Sequence, residues 1–321
     1  MAITKNSVVI PVEYSREIIR GVLGRSKALE LGRRLPDMKG NTYKLNVLTN
    51  LPVAGFVSQQ ATPADAESSE IKNKPLSVLA WEGKDIVAEE IAVIIPIAIS
   101  TLEDVENFVD LVPTITEEAV GAFQQVIDGA VFFGTNSPFN YNIVAQATSA
   151  GAVVEWDGTG SKFYDAINDA MSLVEASGYV PTAILGGPTL AGAFRGMRTT
   201  TGQQIAGGEI LDLPRHIDLT GGFNDGTAFA IVGDFRYLVY SLRQEMRMKV
   251  LEESTLKDPA TGTELYNLGQ QDMVAFRFTM RLGFQLPNPV NRVSGVLSSD
   301  GKYVKAGASA YPFALIKKVS E

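Results

Sequence analysis

The 321-residue chain contains no cysteine and a single histidine, His216. Without cysteine the protein cannot form disulfides, use a thiol nucleophile or build a cysteine-ligated zinc or iron-sulfur site, and we expect it to fold in a reducing compartment. A single histidine also excludes most catalytic triads and multi-histidine metal sites. We therefore interpret His216 as a surface or interdomain residue without a catalytic role.

Long hydrophobic runs are absent as well. The most apolar segment, residues 91–99, is too short to cross a bilayer. Polar residues occur throughout residues 1–16, which argues against a signal peptide. We predict that the protein has no membrane partner.

Motifs that carry catalytic chemistry are scarce. Gly158 to Lys162 read Gly-Thr-Gly-Ser-Lys, but they lack the Gly-Lys-Ser/Thr order of a phosphate-binding loop, and no clear strand precedes them. A glycine-rich turn that caps the next helix is the better interpretation. We predict a protein that is not an enzyme, with no catalytic residue, no cofactor and no metal site. An α/β enzyme with a mobile lid at residues 50–85 is an alternative from a different functional class.

Basic and acidic residues are distributed unevenly along the chain, whose formal net charge is −8. Residues 1–45 contain nine lysines and arginines against four carboxylates, whereas residues 46–135 contain three lysines against fourteen carboxylates. The net negative charge argues against a protein that coats nucleic acid over its whole surface. The two regions are either separate solvated faces, or an arm and an acidic surface of neighbouring subunits that attract each other.

One long helix is predicted over residues 114–133. Thr114 and Glu117 match a capping box, Pro113 precedes the cap, and Gly134 supplies a stop. About 20 residues at a rise of 1.5 Å would span roughly 30 Å. Apolar residues follow helical spacing on one face, namely Ile115, Ala119, Phe123, Val126, Ala130 and Phe133, widened by Val120, Ile127 and Val131.

Residues 51–81 are short of large apolar side chains and rich in Ala, Ser, Pro and Gln. Strand-like segments flank them at residues 43–48 and 86–99. A loop of this length without its own core generally has a function when it is ordered. We interpret it as a two-stranded projection, and because an isolated hairpin is marginal in water, it needs a partner surface.

The second half of the chain has the pattern of an α+β domain. A helix is predicted over residues 161–176, followed by a stop at Gly178, a short buried strand over 183–185 and a further strand over 235–242. From residue 274 to 286 every even position is apolar. Such alternation predicts one long strand with one buried face.

Short motifs occur in a fixed order along the chain. They are Ala54 to Val57, then Ser100 to Val105 with the predicted helix and Asp128 to Gly134, then Gly178 to Ile184, Phe194 to Gly202, and Val232 to Phe235. In this order they resemble the start of the extended loop, the S-x-E-L-L-x-D-S … D-x-A-x-x-x-G register, the G-x-x-P-N-A strand entry, the L-R-x-L-K-D-x-x-G helix exit and the G-D-F motif of tailed-phage major capsid proteins with the Hong Kong 97 fold. The resemblance covers nearly the whole chain.

The resemblance implies an α+β fold of the Hong Kong 97 type with five parts. These are an N-terminal arm over residues 1–47, an extended β-hairpin loop over 48–85, a peripheral domain over 86–140 and 268–300 with the spine helix 114–133 and a long strand, an axial domain over 141–267, and a C-terminal segment over 301–321.

The same resemblance implies a major capsid protein that assembles with itself, as hexamers and pentamers, into an icosahedral shell around double-stranded DNA. Its place would be the virion, after assembly in the cytoplasm of the bacterial host. No long charged helical segment precedes the arm, so we expect a separate scaffolding protein, with portal and decoration proteins as further partners. An encapsulin-type nanocompartment shell, which packages an enzyme, is the closest alternative.

The candidate intersubunit residues lie in the arm and the loop. They are Arg16, Arg20, Arg33, Arg34, Phe56, Lys72 and Lys74. Some members of the family join subunits by a lysine-to-asparagine isopeptide bond that starts from the extended loop, where Lys72 and Lys74 lie. No motif identifies the matching asparagine and glutamate here, so we expect non-covalent interfaces.

Overall fold

The computed structural model describes residues 25–54, 56, 76–101, 111–198, 202–203, 213–298, 302–305 and 310–319. Its helices in this part of the chain are α1 (Lys27–Leu31), α2 (Leu111–Asp128), α3 (Ile143–Ser149), α4 (Gly160–Ala176) and α5 (Leu190–Gly196). Its strands are β1 (Arg33–Arg34), β2 (Thr42–Pro52), β3 (Ala80–Val87), β4 (Glu89–Ala98), β5 (Val153–Trp156), β6 (Ala183–Gly186), β7 (Arg215–Ile217), β8 (Ala230–Gly233), β9 (Val239–Leu251), β10 (Thr255–Lys257), β11 (Glu264–Asn267), β12 (Met273–Gln285), β13 (Gly295–Leu297), β14 (Lys302–Lys305) and β15 (Phe313–Lys318).

The chain divides into two compact units. As far as they are described, one contains Ala92–Val120 and Met248–Phe278, and the other contains Gly24–Ile91, Gly121–Arg247 and Thr279–Glu321. The smaller unit includes the antiparallel hairpin β10–β11. The domain boundaries that the resemblance implies stay predictions.

A five-stranded sheet forms the centre of the larger unit, with the strand order β5-β15-β8-β6-β7. Alternate residues of its strands pack into two hydrophobic cores, with Leu185 and Ile231 in one and Ile184 and Val232 in the other. Successive residues of a strand point to opposite faces, so the sheet has a core on each side. The first core also contains the end of α2 and α3, and the second contains α4 and α5.

The long helix is present, but its predicted start is wrong. α2 already runs at Leu111, so Thr114 lies inside the helix and is not its N-cap. Pro113 does not end the helix, because proline fits the first turn, where its ring sets a helical φ and removes a donor that has no partner there anyway. The predicted stop is confirmed. A π-helical turn over Gly129–Phe133 continues α2, and Gly134 then adopts a φ of 73°.

The predicted apolar face of α2 is wrong at Val126. Ala119, Phe123 and Ile127 are buried, whereas Val126 is 46% exposed. On a helix, Val126 and Ile127 both lie close to the face of Phe123, because they follow it by three and four positions. Here only Ile127 packs into the core. Val126 instead lies at the solvent-exposed edge of this helix face.

The strand predicted over residues 235–242 begins later than expected. Phe235–Tyr237 form a 3₁₀ turn, and β9 starts only at Val239. The Asp234 carboxylate accepts hydrogen bonds from the Arg236 amide at 3.2 Å and from its guanidinium at 2.8 and 2.7 Å. This local bonding turns the chain and competes with a straight strand.

The long strand predicted over residues 274–286 is confirmed as β12, but the prediction of one buried face is incomplete. Ala275, Gly283 and Gln285 are buried in addition to five of the even positions, Phe276, Phe278, Leu282, Phe284 and Leu286. A Cβ at Gly283 would collide with the Val87 carbonyl and the Ile86 side chain. The backbone of β3 therefore covers the second face at this point, where only glycine fits.

Candidate functional site

The hairpin β2–β3 carries several exposed apolar side chains. Its strands pair antiparallel from Thr42 opposite Val87 to Asn50 opposite Ala80, with a shift of register between Leu48 and Asn50. β14 and β13 extend the sheet beyond β2, in the order β13-β14-β2-β3. The two strands of this stem are eleven and eight residues long, and residues 55 and 57–75 of the predicted projection lie outside the described residues.

One face of this stem packs inward. Tyr43, Leu45 and Ile86 join a small core with Met38 and Val239. Because residues opposite each other on paired strands share a face, and neighbours along a strand do not, the adjacent positions must point outward. We call this second side the outer face.

The outer face carries apolar side chains in contact with solvent. Trp81 is 57% exposed, and its cross-strand partner Leu48 and the more distant Val87 are each 38% exposed. Further exposed apolar residues follow where the stem ends, at Phe56 (79%), Leu76 (90%), Val78 (50%) and Leu79 (45%). Scattered apolar residues are normal on a surface, but a concentration on one element marks an interaction site.

Of the other candidate interface residues, the structure describes only Arg33 and Arg34. Arg16, Arg20, Lys72 and Lys74 lie outside the described residues. Arg33 and Arg34 form β1, which is parallel to β9, and both are exposed. The Arg34 guanidinium lies 2.9 Å from Asp37 and 3.7 Å from Glu245 of the same chain. A role of these residues between subunits stays a prediction.

The motifs considered for catalysis have structural roles. Lys162 donates to the Asp157 carboxylate at 2.6 Å, and the Thr159 amide donates to it at 2.9 Å, so Gly158 and Thr159 form the turn and Gly160 to Lys162 begin α4. The expectation that no strand precedes this segment is wrong, because β5 ends at Trp156. His216 lies on β7 with Nδ1 3.6 Å from the Glu30 carboxylate, and burial lowers its pKa although Glu30 partly offsets this.

The described ranges hold no group of three or more His, Cys, Asp or Glu side chains that could bind a metal ion. None of the helices in these ranges is both long and apolar enough to cross a membrane.

Asp128 is the centre of a buried polar cluster that sequence reasoning missed. Its carboxylate accepts hydrogen bonds from the Ser26 hydroxyl at 2.7 Å and from the amides of Lys27 and Ala28, each at 3.0 Å. The end of α2 thereby holds the first turn of α1, whose orphan amides need an acceptor. The signal was available, because a carboxylate beside Ile127 on an apolar helix face requires a buried partner.

A second buried carboxylate lies next to this cluster. Asp218 Oδ1 accepts from the amide and the hydroxyl of Thr220, both at 2.7 Å, and the same hydroxyl lies 3.3 Å from Asp128. Asp218 Oδ2 is buried with no hydrogen-bond partner among the described residues. Burial raises the pKa of Asp128 to about 6, and the charge of Asp218 adds to the rise, while the bonds from Ser26, Ala28 and Lys27 lower it.

The chain is similar to known proteins in both sequence and structure. The sequence profile of the phage capsid family matches residues 6–291. A chain in a structure of Microbacterium phage Oxtober96 is 27% identical, with a TM-score of 0.78 over 97% of this chain and 96% of that chain. A chain of Mycobacterium phage Cain is 24% identical, with a TM-score of 0.81 over 100% of both chains. The capsid of a native GTA particle is 16% identical, with a TM-score of 0.59 over 98% of this chain and 96% of that chain. A comparison with curated proteins found no match.

Proposed function

The chain belongs to the phage capsid family, and we propose that it builds its shell from hexamers and pentamers that enclose double-stranded DNA. The observation that carries the proposal is the family match over residues 6–291. The fold agrees with it, since the chain is α+β and similar over its length to phage capsid structures. The protein is a structural protein of the phage capsid.

The outer face of the hairpin gives this function a physical mechanism. Stable obligate interfaces bury of order 2,000 Å² or more in total, and their centres are apolar and aromatic. Trp81, Leu48 and Phe56 are exposed in the single chain and have this chemistry. We propose that a neighbouring copy covers them when the shell forms, so that association removes apolar surface from water.

Further partners are proposed on family membership alone. They are a separate scaffolding protein, a portal and decoration proteins, with assembly in the cytoplasm of the bacterial host. Electron microscopy of the expressed protein tests the central proposal, because closed shells are expected with no other phage protein or with scaffold alone. Shells purified from infected cells should contain DNA, whereas an encapsulin-type compartment would contain a cargo protein. An enzyme with a lid at residues 50–85 would instead elute as a small oligomer on size exclusion.

The basic residues near the N-terminus allow a charge test. Replacing Arg16, Arg20 and Arg33 with Gln should weaken assembly, and more so at low salt, because the Debye length is about 30 Å at 0.01 M and about 8 Å at 0.15 M. Arg34→Gln is the matched control, because the charge of Arg34 already faces Asp37 and Glu245 of its own chain and its loss should matter less. Light scattering across a salt series measures assembly. Equal assembly yields for all variants at every ionic strength would contradict a charge-dependent role of these arginines in assembly.

Non-covalent interfaces predict a simple result for dissociated particles. Assembled shells boiled in detergent should run as a single band near 34.5 kDa. The Lys72→Ala and Lys74→Ala variants should give the same band. A ladder of multimers in the parent that disappears in either variant would instead demonstrate an isopeptide bond.

A further inference from the structure

A cavity of about 440 Å³ lies in the larger unit, beside the inner face of the hairpin stem. It is lined by the end of β3, the segment before α3, the end of β12 and Tyr311, which lies just before β15. The lining residues include Lys84, Asp85, Tyr141 and Gln285. Its polar groups include one ammonium, one carboxylate, and several amides and hydroxyls that can donate or accept. Nothing in the capsid function described above uses it.

Lys84 brings a positive charge to this cavity. It is half-buried on β3, and among the described residues its Nζ makes only a long contact of 3.5 Å, with the Leu286 carbonyl oxygen. Within the described part of the chain, no carboxylate lies within 4 Å of this amine. Burial lowers the pKa of Lys84, and Glu82 only partly offsets this. The attraction of Glu82, which lies beyond 4 Å, does not offset the burial of this ammonium, so a further anion close to it would stabilise the charged form.

Tyr311 brings a hydrogen-bond donor to the same cavity. The residue is 3% exposed, and its hydroxyl is buried without a partner among the described residues. Buried hydroxyls nearly always find a partner, so an unpaired one at a cavity wall indicates a ligand atom. Tyr141 adds a second hydroxyl, whose contacts with the carbonyl oxygens of Asp85 and Phe284 are long, at 3.5 and 3.4 Å.

Asp85 is the one carboxylate among the cavity walls, and it does not supply the missing counter-ion. Its backbone carbonyl oxygen accepts from Gln285 Nε2 at 2.9 Å, and its charge adds to the effect of burial in raising the pKa of Tyr141. Neighbours on a strand point to opposite faces, so the Asp85 side chain projects away from the side on which Lys84 lies.

We propose that this cavity binds a carboxylate group, with the Lys84 ammonium as counter-ion and the Tyr311 hydroxyl as hydrogen-bond donor. A single ammonium matches the single charge of a carboxylate and forms a charge-assisted hydrogen bond with it. The carboxylate comes either from an Asp or Glu side chain of a neighbouring copy or from a small molecule in solution. The chain itself has 36 acidic against 28 basic residues, so a neighbouring copy offers more carboxylates than it has basic partners for.

Amine reactivity measures occupancy of the site. Full-length subunits are reductively methylated over a pH series, and modification of Lys84 is quantified by peptide mass spectrometry. One arm compares free subunits in sodium acetate with free subunits in sodium chloride of equal ionic strength, and the other compares assembled shells with free subunits. We expect the midpoint of the Lys84 pH profile to rise, and its rate at fixed pH to fall several-fold, in at least one arm. Lys44, an exposed lysine of β2, is the control and should not respond to acetate.

The two arms identify the source of the carboxylate. A rise in acetate indicates a small-molecule site, and a rise in shells alone indicates a side chain of the neighbouring copy. Mere covering of Lys84 in the shell would lower the midpoint, because burial disfavours the charged amine. Tyr311→Phe removes only the unpaired hydroxyl, so it should keep the fold and reduce the shift. An unchanged or lowered midpoint in both arms would overturn the proposal, as would a full shift in Tyr311→Phe.

Discussion

Replacing residues 55–76 with a short Gly-Ser turn is expected to leave a folded subunit that no longer closes into shells. The replaced segment lies beyond the last stem pair, Asn50 opposite Ala80, so both strands and their inner core remain. Ser77 is kept, because its hydroxyl accepts a hydrogen bond from the Val53 amide at 3.0 Å. What disappears is the exposed apolar surface of Phe56 and Leu76 and the rest of the loop.

The expected readout is soluble monomers or small oligomers with a cooperative melt close to that of the parent, and no closed particles by electron microscopy. Loss of interface without loss of core reduces association and leaves folding intact. Unfolding of the deleted subunit would show that the loop belongs to a core. Normal shells would show that the loop is not an assembly element, and the proposed mechanism would then lose its support.

Two adjacent residues of β2 provide a matched pair for the same question. Leu48 lies on the outer face and Val47, which is 6% exposed, on the inner face. Leu48→Ser should impair assembly with little effect on the melt of the free subunit. Val47→Ser should cost about 1 to 3 kcal/mol of the free energy of unfolding, because it removes buried apolar atoms and buries a hydroxyl. Urea denaturation of the subunits, together with electron microscopy, separates the two effects. The interpretation fails if Leu48→Ser destabilises the subunit as strongly as Val47→Ser.

The strongest periodic patterns in the sequence predicted the fold best. The apolar alternation of β12 and the helix predicted over residues 161–176 depend on local geometry alone, and both elements are present. Gly134 and Gly178 were recognised as stops, and they adopt φ values of 73° and 78°. Such positions are predictable because glycine tolerates left-handed backbone at no steric cost.

The errors in the predicted burial and in the predicted strand start arose where tertiary contacts or local side-chain hydrogen bonds determine the structure. Nothing near Gly283 in the sequence shows that β3 approaches its backbone, so the second covered face of β12 was missed. The choice between Val126 and Ile127 depends on which of them the sheet contacts, not on spacing. At Asp234 a carboxylate bonded to Arg236 replaced the first residues of a predicted strand by a turn.

The candidate interface, too, was predictable where it depends on local sequence and unpredictable where it depends on tertiary contacts. The loop was predicted to need a partner because it lacks large apolar residues of its own, and the exposed apolar residues of the stem support that prediction. The strand pairing that aligns Leu48 with Trp81 involves residues far apart in sequence, so the outer face could not be predicted. The cavity at Lys84 likewise combines β3, β12 and Tyr311 across more than 200 positions.

Asp128 is expected to make the stability of the free subunit fall as pH rises from about 4 to about 6. Burial raises its pKa from 3.8 to about 6 in the folded chain. Below pH 4 the carboxyl is protonated in both states, so it contributes no penalty. Between the two pKa values the folded state binds more protons than the unfolded state, and the free energy of unfolding therefore decreases with pH. Above pH 6 the full penalty applies, about 3 kcal/mol for a shift of about two units.

Asp128→Asn tests this sign directly, because it keeps the size of the side chain and one acceptor for the donors of Ser26 and Ala28. Other carboxylates titrate over the same range, so the informative quantity is the difference between parent and variant in the free energy of unfolding. That difference should shift in favour of the variant by up to about 3 kcal/mol between pH 4 and pH 7. Urea denaturation followed by the fluorescence of buried Trp156 provides the measurement.

Two further variants separate the causes of this pH dependence. Asp218→Asn removes the neighbouring negative charge, so the pKa of Asp128 should fall and the loss of stability should move to lower pH and become smaller. Asp165→Asn removes an exposed carboxylate of α4 and should show no such pH-dependent difference. If the difference between parent and Asp128→Asn is constant from pH 4 to pH 7, the carboxylate is ionised throughout. The hydrogen bonds from Ser26, Lys27 and Ala28 would then outweigh burial, and Asp128 would be a permanently charged cap of α1.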